Sequence, residues 1–553
     1  MTDQPLDPAL DEAEEQSSLL SHSAVMAAGT TVSRLSGFVR AALLSYALGR
    51  SVHADVFTVA NTLPNMLYIL LAGGVFNAVL VPQLVRSIRN DPDKGDAYTS
   101  RVITVAGIFL VVVTVVLVVA APLIVDIVTS GYDPAVRDSA IAFTRFCLPQ
   151  VFFYGMYVLV GQILNARGSF GPMMWAPIAN NVIAVVVVLI YVLGFGQAEG
   201  DEVYGPFTSG QEALLGIGST LGIAVQLLIL VPYLRRSGYT YRPRLDLRGS
   251  GLGHTLRLGI WTVLFVVVNQ IAYVVVQRLA TSGAASSPDG TGATIYSNSF
   301  LVVMVPHSIV TVSLATAMLP RLSAYAASDD RAALAASLSH TLRSALTVIV
   351  PFVALLPLIA PDLARVVFAH GAAADGGVDA YVPTLSMFGL GVLFFTIHYL
   401  VLRGFYALEQ NRVVFLVQCG VAATNIVAAI ALVHATTAAH TSPALVGAYA
   451  LAYAVGSLVS YQLLRRRLGG LRSRRLLVFG GRLVIAAGLA TGLTFPVAQV
   501  LDGLADDPGT VVAAVRLLCV GAVDVLLFLV LARLLRIREV SDVLATLTRR
   551  ARP

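Results

Sequence analysis

Fourteen apolar stretches, each long enough to cross a bilayer, fill this chain almost from end to end. A membrane span needs about 20 mostly apolar residues. The stretches run at roughly 24–48, 56–85, 102–129, 139–164, 171–196, 211–234, 255–279, 294–319, 340–360, 380–402, 412–434, 443–464, 476–500 and 509–535. Charged residues make up 12% of the chain, against about 25% in a soluble domain, and mean hydropathy is +0.79. No soluble domain of useful size remains. The net charge of +6 lies in short loops beside the spans, which argues against nucleic acid. Cys147, Cys419 and Cys519 fall in apolar stretches without metal-ligand spacing and read as small buried hydrophobes.

The loops alternate. One class carries Arg86, Arg89, Lys94 and Arg101; then Arg167; then Arg235, Arg236, Arg242, Arg244 and Arg248; then Arg321 and Arg331; then Arg403 and Arg412; then six arginines between Arg465 and Arg475. The other class is sparse or acidic, as at Glu199, Asp201 and Glu202 or Asp502, Asp506 and Asp507. The positive-inside rule puts the arginine-rich class in the cytoplasm. Both termini are then cytoplasmic, which an even number of spans requires. The acidic first 23 residues lack the basic start of a secretory signal and read as a disordered cytoplasmic extension. At the other end, Ile537, Val540, Val543, Leu544 and Leu547 share one helical face amid arginines, the pattern of an interfacial helix. The use of Arg almost to the exclusion of Lys suggests a GC-rich bacterial genome; the expected location is a bacterial plasma membrane.

The chain resembles itself at an offset of about 240 residues. Phe152-Phe153 and Tyr157 match Phe394-Phe395 and Tyr399; Asn180-Asn181-Val182 matches Thr424-Asn425-Ile426; Ala121-Pro122 matches Ala360-Pro361; Val81-Pro82-Gln83-Leu84 matches Leu319-Pro320-Arg321-Leu322. Six spans is an even number, so the copies are parallel repeats, an arrangement that places substrate between two rocking halves. The expected fold is an all-α polytopic membrane protein with 14 transmembrane helices: two pseudo-symmetric six-helix lobes plus two extra C-terminal helices. The expected divisions are a tail at 1–23, an N-lobe at 24–240, a C-lobe at 241–470, the additional pair at 471–536 and a basic amphipathic tail at 537–553.

Span one contains two arginines, Arg34 and Arg40. A charge at the bilayer centre costs about 2.5–3.5 kcal/mol on insertion scales and tends to face a cavity or a partner. At helical spacing the two lie about 120° apart, with Gly37 midway, making a cationic fork around bare backbone. Planar guanidinium donors suit phosphate. The competing reading is that the side chains snorkel to the near interface; Arg40, deeper in, favours the cavity, while Arg34 is open between the two. Span two carries Asn61, Pro64, Asn65, Gly73-Gly74 and Asn77, and span eight carries Asn298, Pro306, His307 and Ser308. Broken helices at matching places point to a substrate site, and ordinary interhelical hydrogen bonding explains the same residues equally well. His398 in span ten reads as a packing residue rather than a proton relay. There is no nucleotide loop, no His-Glu-x-x-His and no paired carboxylate, so no enzyme chemistry is indicated.

Taken together, Ser33-Arg34-Leu35-Ser36-Gly37-Phe38-Val39-Arg40, Ala54-Asp55-Val56-Phe57, Leu63-Pro64-Asn65, Ile163-Leu164-Asn165-Ala166-Arg167 and Arg403-Gly404-Phe405-Tyr406-Ala407-Leu408 resemble the MurJ/MviN family of the MOP exporter superfamily. The likeness runs from about residue 24 to 535. It implies a flippase that moves lipid II, the undecaprenyl-diphosphate-linked cell-wall precursor, from the inner to the outer leaflet by alternating access. It implies further that the last two spans form a groove for the lipid tail. The implied substrate-binding residues are Ser33, Arg34, Gly37, Arg40, Asp55, Asn61 and Asn65. Cell-wall synthesis proteins are the implied further partners, and membrane potential the implied driving force. The chain departs from the family at Tyr68 and at Phe300-Leu301, where arginines are usual, and at Gly73 and Ala41, where acids are usual. Spans seven and eleven offer Asn269, Gln270, Gln277 and Asn425 in place of the acids that bind sodium in some members, so no cofactor is expected. The alternatives are an exporter of another lipid-linked glycan or of drugs, and a transport-silent cell-wall scaffold.

Overall fold

The computed structural model describes residues 32–70, 95–169, 171–245, 252–374, 377–503 and 509–540, with Gly29, Ser87 and Asp93 as single positions, and for 252–259 the backbone alone. Both tails' distal parts, Gly73, Gly74, Asn77 and the loop residues Arg86, Arg89, Lys94 and Arg248 lie outside the described residues.

The long apolar runs form helices, as they must where water is absent to satisfy backbone amides. In chain order they are α1 (32–48), α2 (Val52–Ile69), α3 (Asp96–Val119), α4 (Ala121–Val128), α5 (Pro134–Cys147), α6 (Gln150–Ala166), α7 (Gly171–Phe195), α8 (Ser209–Arg236) and α9 (Leu252–Ser286). There follow α10 (Ala293–Val303), α11 (Val312–Ala327), α12 (Arg331–Val367), α13 (Gly377–Ala407), α14 (Asn411–His434), α15 (Thr441–Arg467), α16 (Ser473–Asp502) and α17 (Thr510–Leu534). Among the described residues, 12 segments are long and apolar enough to cross a membrane. Adding α1 and α2 completes the expected fourteen spans, because α3 with α4, α5 with α6, and α10 with α11 each make one.

The two lobes are built alike. In the first, α7 packs along α8, and α6 runs against both α8 and α3; in the second, α15 packs along α13 and α14, and α12 along α13. The extra pair α16–α17 packs on itself and on α12. Arg516 of α17 anchors that junction: it pairs with Asp502 at the end of α16 and lies 3.7 Å from Asp362 of α12.

Several local expectations are revised. Pro64 sits inside α2, which runs on past it to Ile69, whereas in span eight a π-turn at His307–Thr311 follows Pro306. Ala121-Pro122 does interrupt its span, whereas its repeat mate Ala360-Pro361 lies within the continuous α12. Only Cys147 is buried; Cys419 is half-buried and Cys519 lies on the outward face of α17. At the start of the amphipathic tail, Ile537 and Val540 bury against Phe479, Leu483 and Phe528, and Glu539 pairs with Arg343; its residues from 541 on lie outside the described residues.

Candidate functional site

A cavity of about 400 Å³ lies where the two lobes face one another. Arg34 and Arg40 from α1 both line it, with Asn61 and Asn65 of α2, and α10 supplies the opposite wall through Ser297, Asn298 and Phe300. Among the described residues no Asp or Glu lines it. Among the described residues neither arginine has a carboxylate partner, and the buried Nε of Arg40 has no hydrogen-bond acceptor. A buried guanidinium donor left without an acceptor is costly, so the chamber favours an anion. Asn61 is positioned by its own helix, donating to the Phe57 carbonyl at 3.1 Å and accepting from Gln150 at 3.3 Å.

The other sequence-nominated residues stand elsewhere. Gly37 faces α7: a Cβ there would lie 3.8 Å from Asn181 Nδ2. The Asn181 amide donates to the Ser33 carbonyl at 3.0 Å and to Ser36 Oγ at 2.8 Å. Ser33 and Gly37 therefore seat α1 on α7 and hold the arginines in place. Tyr68, at one position where an arginine is usual in the family, packs tilted against Tyr154 at 4.7 Å between ring centroids, and Tyr154 lines the chamber beside Arg40. His398 accepts or donates a hydrogen bond at 3.2 Å to Ser460 and packs on Tyr453, as a core histidine does.

Asp55 is fully buried away from the chamber and joins the lobes. Its two carboxylate oxygens accept from the backbone N–H groups of Ala293 (2.9 Å) and Thr294 (2.7 Å). Those amides open α10, whose own N-cap, Gly292, offers no side chain. A Cβ on Gly292 would lie 2.1 Å from the carboxylate, so only glycine admits this approach. The converse contact lies nearby. Arg278 of α9 donates to the carbonyls of Asp126, Ile127 (3.2 Å) and Thr129 (2.7 Å), at the end of α4. Each lobe thus caps a helix of the other with the charge that its dipole favours, acid at an N-terminus and guanidinium at a C-terminus. Thr58–Thr294 (3.0 Å), Asn298–Ser45 (3.2 Å) and Ser130–Thr281 (3.0 Å) reinforce the seam. All these contacts lie at or towards the end of the molecule that carries the arginine-poor loops.

A cation that sequence reasoning left among the loop arginines is also half-buried in the protein: Arg403, in the last turns of α13. Its guanidinium stacks over Tyr399 at 4.2 Å and Tyr406 at 5.5 Å, and its buried Nε has no acceptor. Its place at the end of an apolar run hid it.

Two six-helix lobes face one another across this chamber, and known proteins share the fold. MurJ in an inward closed conformation superposes with a TM-score of 0.71 over 92% of this chain and 98% of that one at 17% identity. MATE in complex with MaL6 reaches 0.57 over 81% and 96% at 16% identity. In sequence, the probable lipid II flippase MurJ of Haemophilus influenzae is 24% identical over 69% of this chain and 75% of its own length. The lipid II flippase MurJ of Burkholderia cenocepacia is 26% identical over 71% and 74%. The family model described as lipid II flippase MurJ matches residues 44–503, most of the chain, and the chain belongs to that family.

Proposed function

We propose that this protein moves lipid II from the cytoplasmic to the outer leaflet by alternating access, with Arg34 and Arg40 holding the diphosphate of the head group. The observation that carries the reading is the pair of arginines without carboxylate partners in an acid-free chamber at the lobe boundary. The positive-inside rule places the arginine-rich loops in the cytoplasm. The Asp55–α10 latch then closes the outer side. The head group crosses in the chamber while its hydrocarbon tail stays in lipid along α16 and α17. No cation site is needed: a diphosphate leaving a negative interior gains about 2.3 kcal/mol per charge per 100 mV, so membrane potential drives the anionic head outward.

The test is reconstitution in liposomes with lipid II in both leaflets and a reagent that reads its outer-leaflet fraction. The wild type equilibrates lipid II, and Arg34→Ala and Arg40→Ala do not, at equal protein levels. Full activity in both variants, or export of a cationic dye without lipid II movement, overturns the assignment.

A further inference from the structure

A second cavity of about 400 Å³ lies beside the cationic chamber, on the side of the second lobe. The two share a wall: Asn65, Tyr273, Ser297 and Phe300 line both. Their chemistry differs. Among the described residues no acidic, basic or His side chain lines the second cavity. Its polar groups are the amides of Asn269, Gln270, Gln418 and Asn425, and its bulk comes from Tyr296, Tyr449 and Tyr453 with the shared Tyr273 and Phe300.

This lining selects a ligand class. An ion would be desolvated with no opposite charge to meet it. A hydrocarbon would strand the amides. A neutral ring with apolar C–H faces and hydroxyls around its edge meets both demands. Aromatic side chains bury the faces, and each carboxamide both donates and accepts at the edge. That description is a pyranose sugar.

The amides are set in advance. Gln418 donates to Asn269 Oδ1 at 2.7 Å, and Asn269 donates to the Phe265 carbonyl at 2.8 Å. Gln270 donates across the lobe boundary to the Met66 carbonyl at 2.8 Å, so the cavity is framed by both lobes. Asn425 is different: its buried Oδ1 has no partner. Its counterpart in the first repeat, Asn181, is engaged by Ser33 and Ser36. Asn181 is held through its Nδ2 donor, whereas among the described residues no group donates to the Asn425 acceptor beside the cavity. A buried acceptor without a donor calls for an explanation, and a ligand hydroxyl supplies one.

We propose that the second cavity is the carbohydrate subsite. With the diphosphate on Arg34 and Arg40, the sugar bonded directly to it passes the shared wall and lodges among the amides and tyrosines. The subsite rests on the diphosphate assignment made above, and its test separates the two.

The full chain in nanodiscs is titrated with two probes, undecaprenyl diphosphate and lipid II, and binding is read by native mass spectrometry. The wild type prefers lipid II. Asn425→Leu removes an acceptor that no protein group uses and weakens lipid II binding about tenfold, the effect of one stranded neutral hydrogen-bonding group, while undecaprenyl diphosphate binds as before. Phe300→Ala, a change on the shared wall at a partly exposed ring that meets Phe388 and Tyr449 edge-on, lowers the same preference in a protein whose melting temperature is checked alongside. Arg40→Gln weakens both probes alike. If Asn425→Leu and Phe300→Ala leave the ratio of the two affinities unchanged while Arg40→Gln weakens both, the subsite is wrong and the diphosphate grip stands. If Arg40→Gln changes neither, the grip fails and the subsite with it. Equal wild-type affinity for the two probes also overturns the subsite.

Discussion

Replacing Asp55 by Asn should open the latched end of the molecule. In the wild type two charge-assisted bonds, at 2.7 and 2.9 Å, run from the first turn of α10 to one fully buried carboxylate. Hydrogen bonds to charged groups contribute about 1.5–3 kcal/mol each, and a charge at a helix N-terminus roughly 0.3–1 kcal/mol, more when buried. Asparagine keeps one acceptor, loses the charge and turns an NH₂ group towards the second amide. The net loss is about 3 kcal/mol, or roughly a hundredfold in the ratio of latched to unlatched molecules. It falls only on states in which the lobes meet here. Spin labels at the exposed positions Asp201 and Thr436, in a cysteine-free background, report the separation of the lobes at this end. Asp55→Asn should move the distance distribution from one short population to a mixture dominated by a longer one. Gly292→Ala should do the same by a different route, because its Cβ would occupy the place of the carboxylate. Unchanged distances in both variants would show that the seam is held elsewhere and refute the argument.

Three further outcomes are expected. Arg278→Gln removes the reciprocal cap on α4 and should lengthen the same label distance, adding to Asp55→Asn in the double variant. Gly222→Ala places a Cβ 2.3 Å from Asn180 Oδ1, a chamber-lining group, and should cost about 1–3 kcal/mol of thermal stability and slow lipid II equilibration. Arg516→Leu removes the cation that Asp362 and Asp502 share at the junction of α12, α16 and α17 and should cost about 1–3 kcal/mol, seen as a lower melting temperature.

Hydropathy found all fourteen spans because lipid contact is what it measures. It found helix ends poorly for the same reason. The ninth span was expected at 340–360, yet α12 runs from Arg331 to Val367, since the Ala-rich turns before the span are good helix formers that water tolerates. Arg34 and Arg40 were legible because charge inside an apolar run is expensive and demands a cavity. Asp55 was legible as unusual but not in its role, which depends on amides about 240 residues away on the other lobe. Its side chain had to be seen against α10 before a latch could be told from a ligand group. Arg403 shared the composition of every other loop arginine; only its place over Tyr399 and Tyr406 and its buried Nε set it apart.

The reciprocal capping of α10 and α4 has a consequence for following the protein at work. The amides of Ala293 and Thr294 are buried and engaged by the carboxylate only while the two halves touch. Their deuterium uptake therefore counts separations directly, without any label. Adding substrate to an unmodified sample should change that uptake in step with turnover, so the lock doubles as an isotopic clock for the cycle.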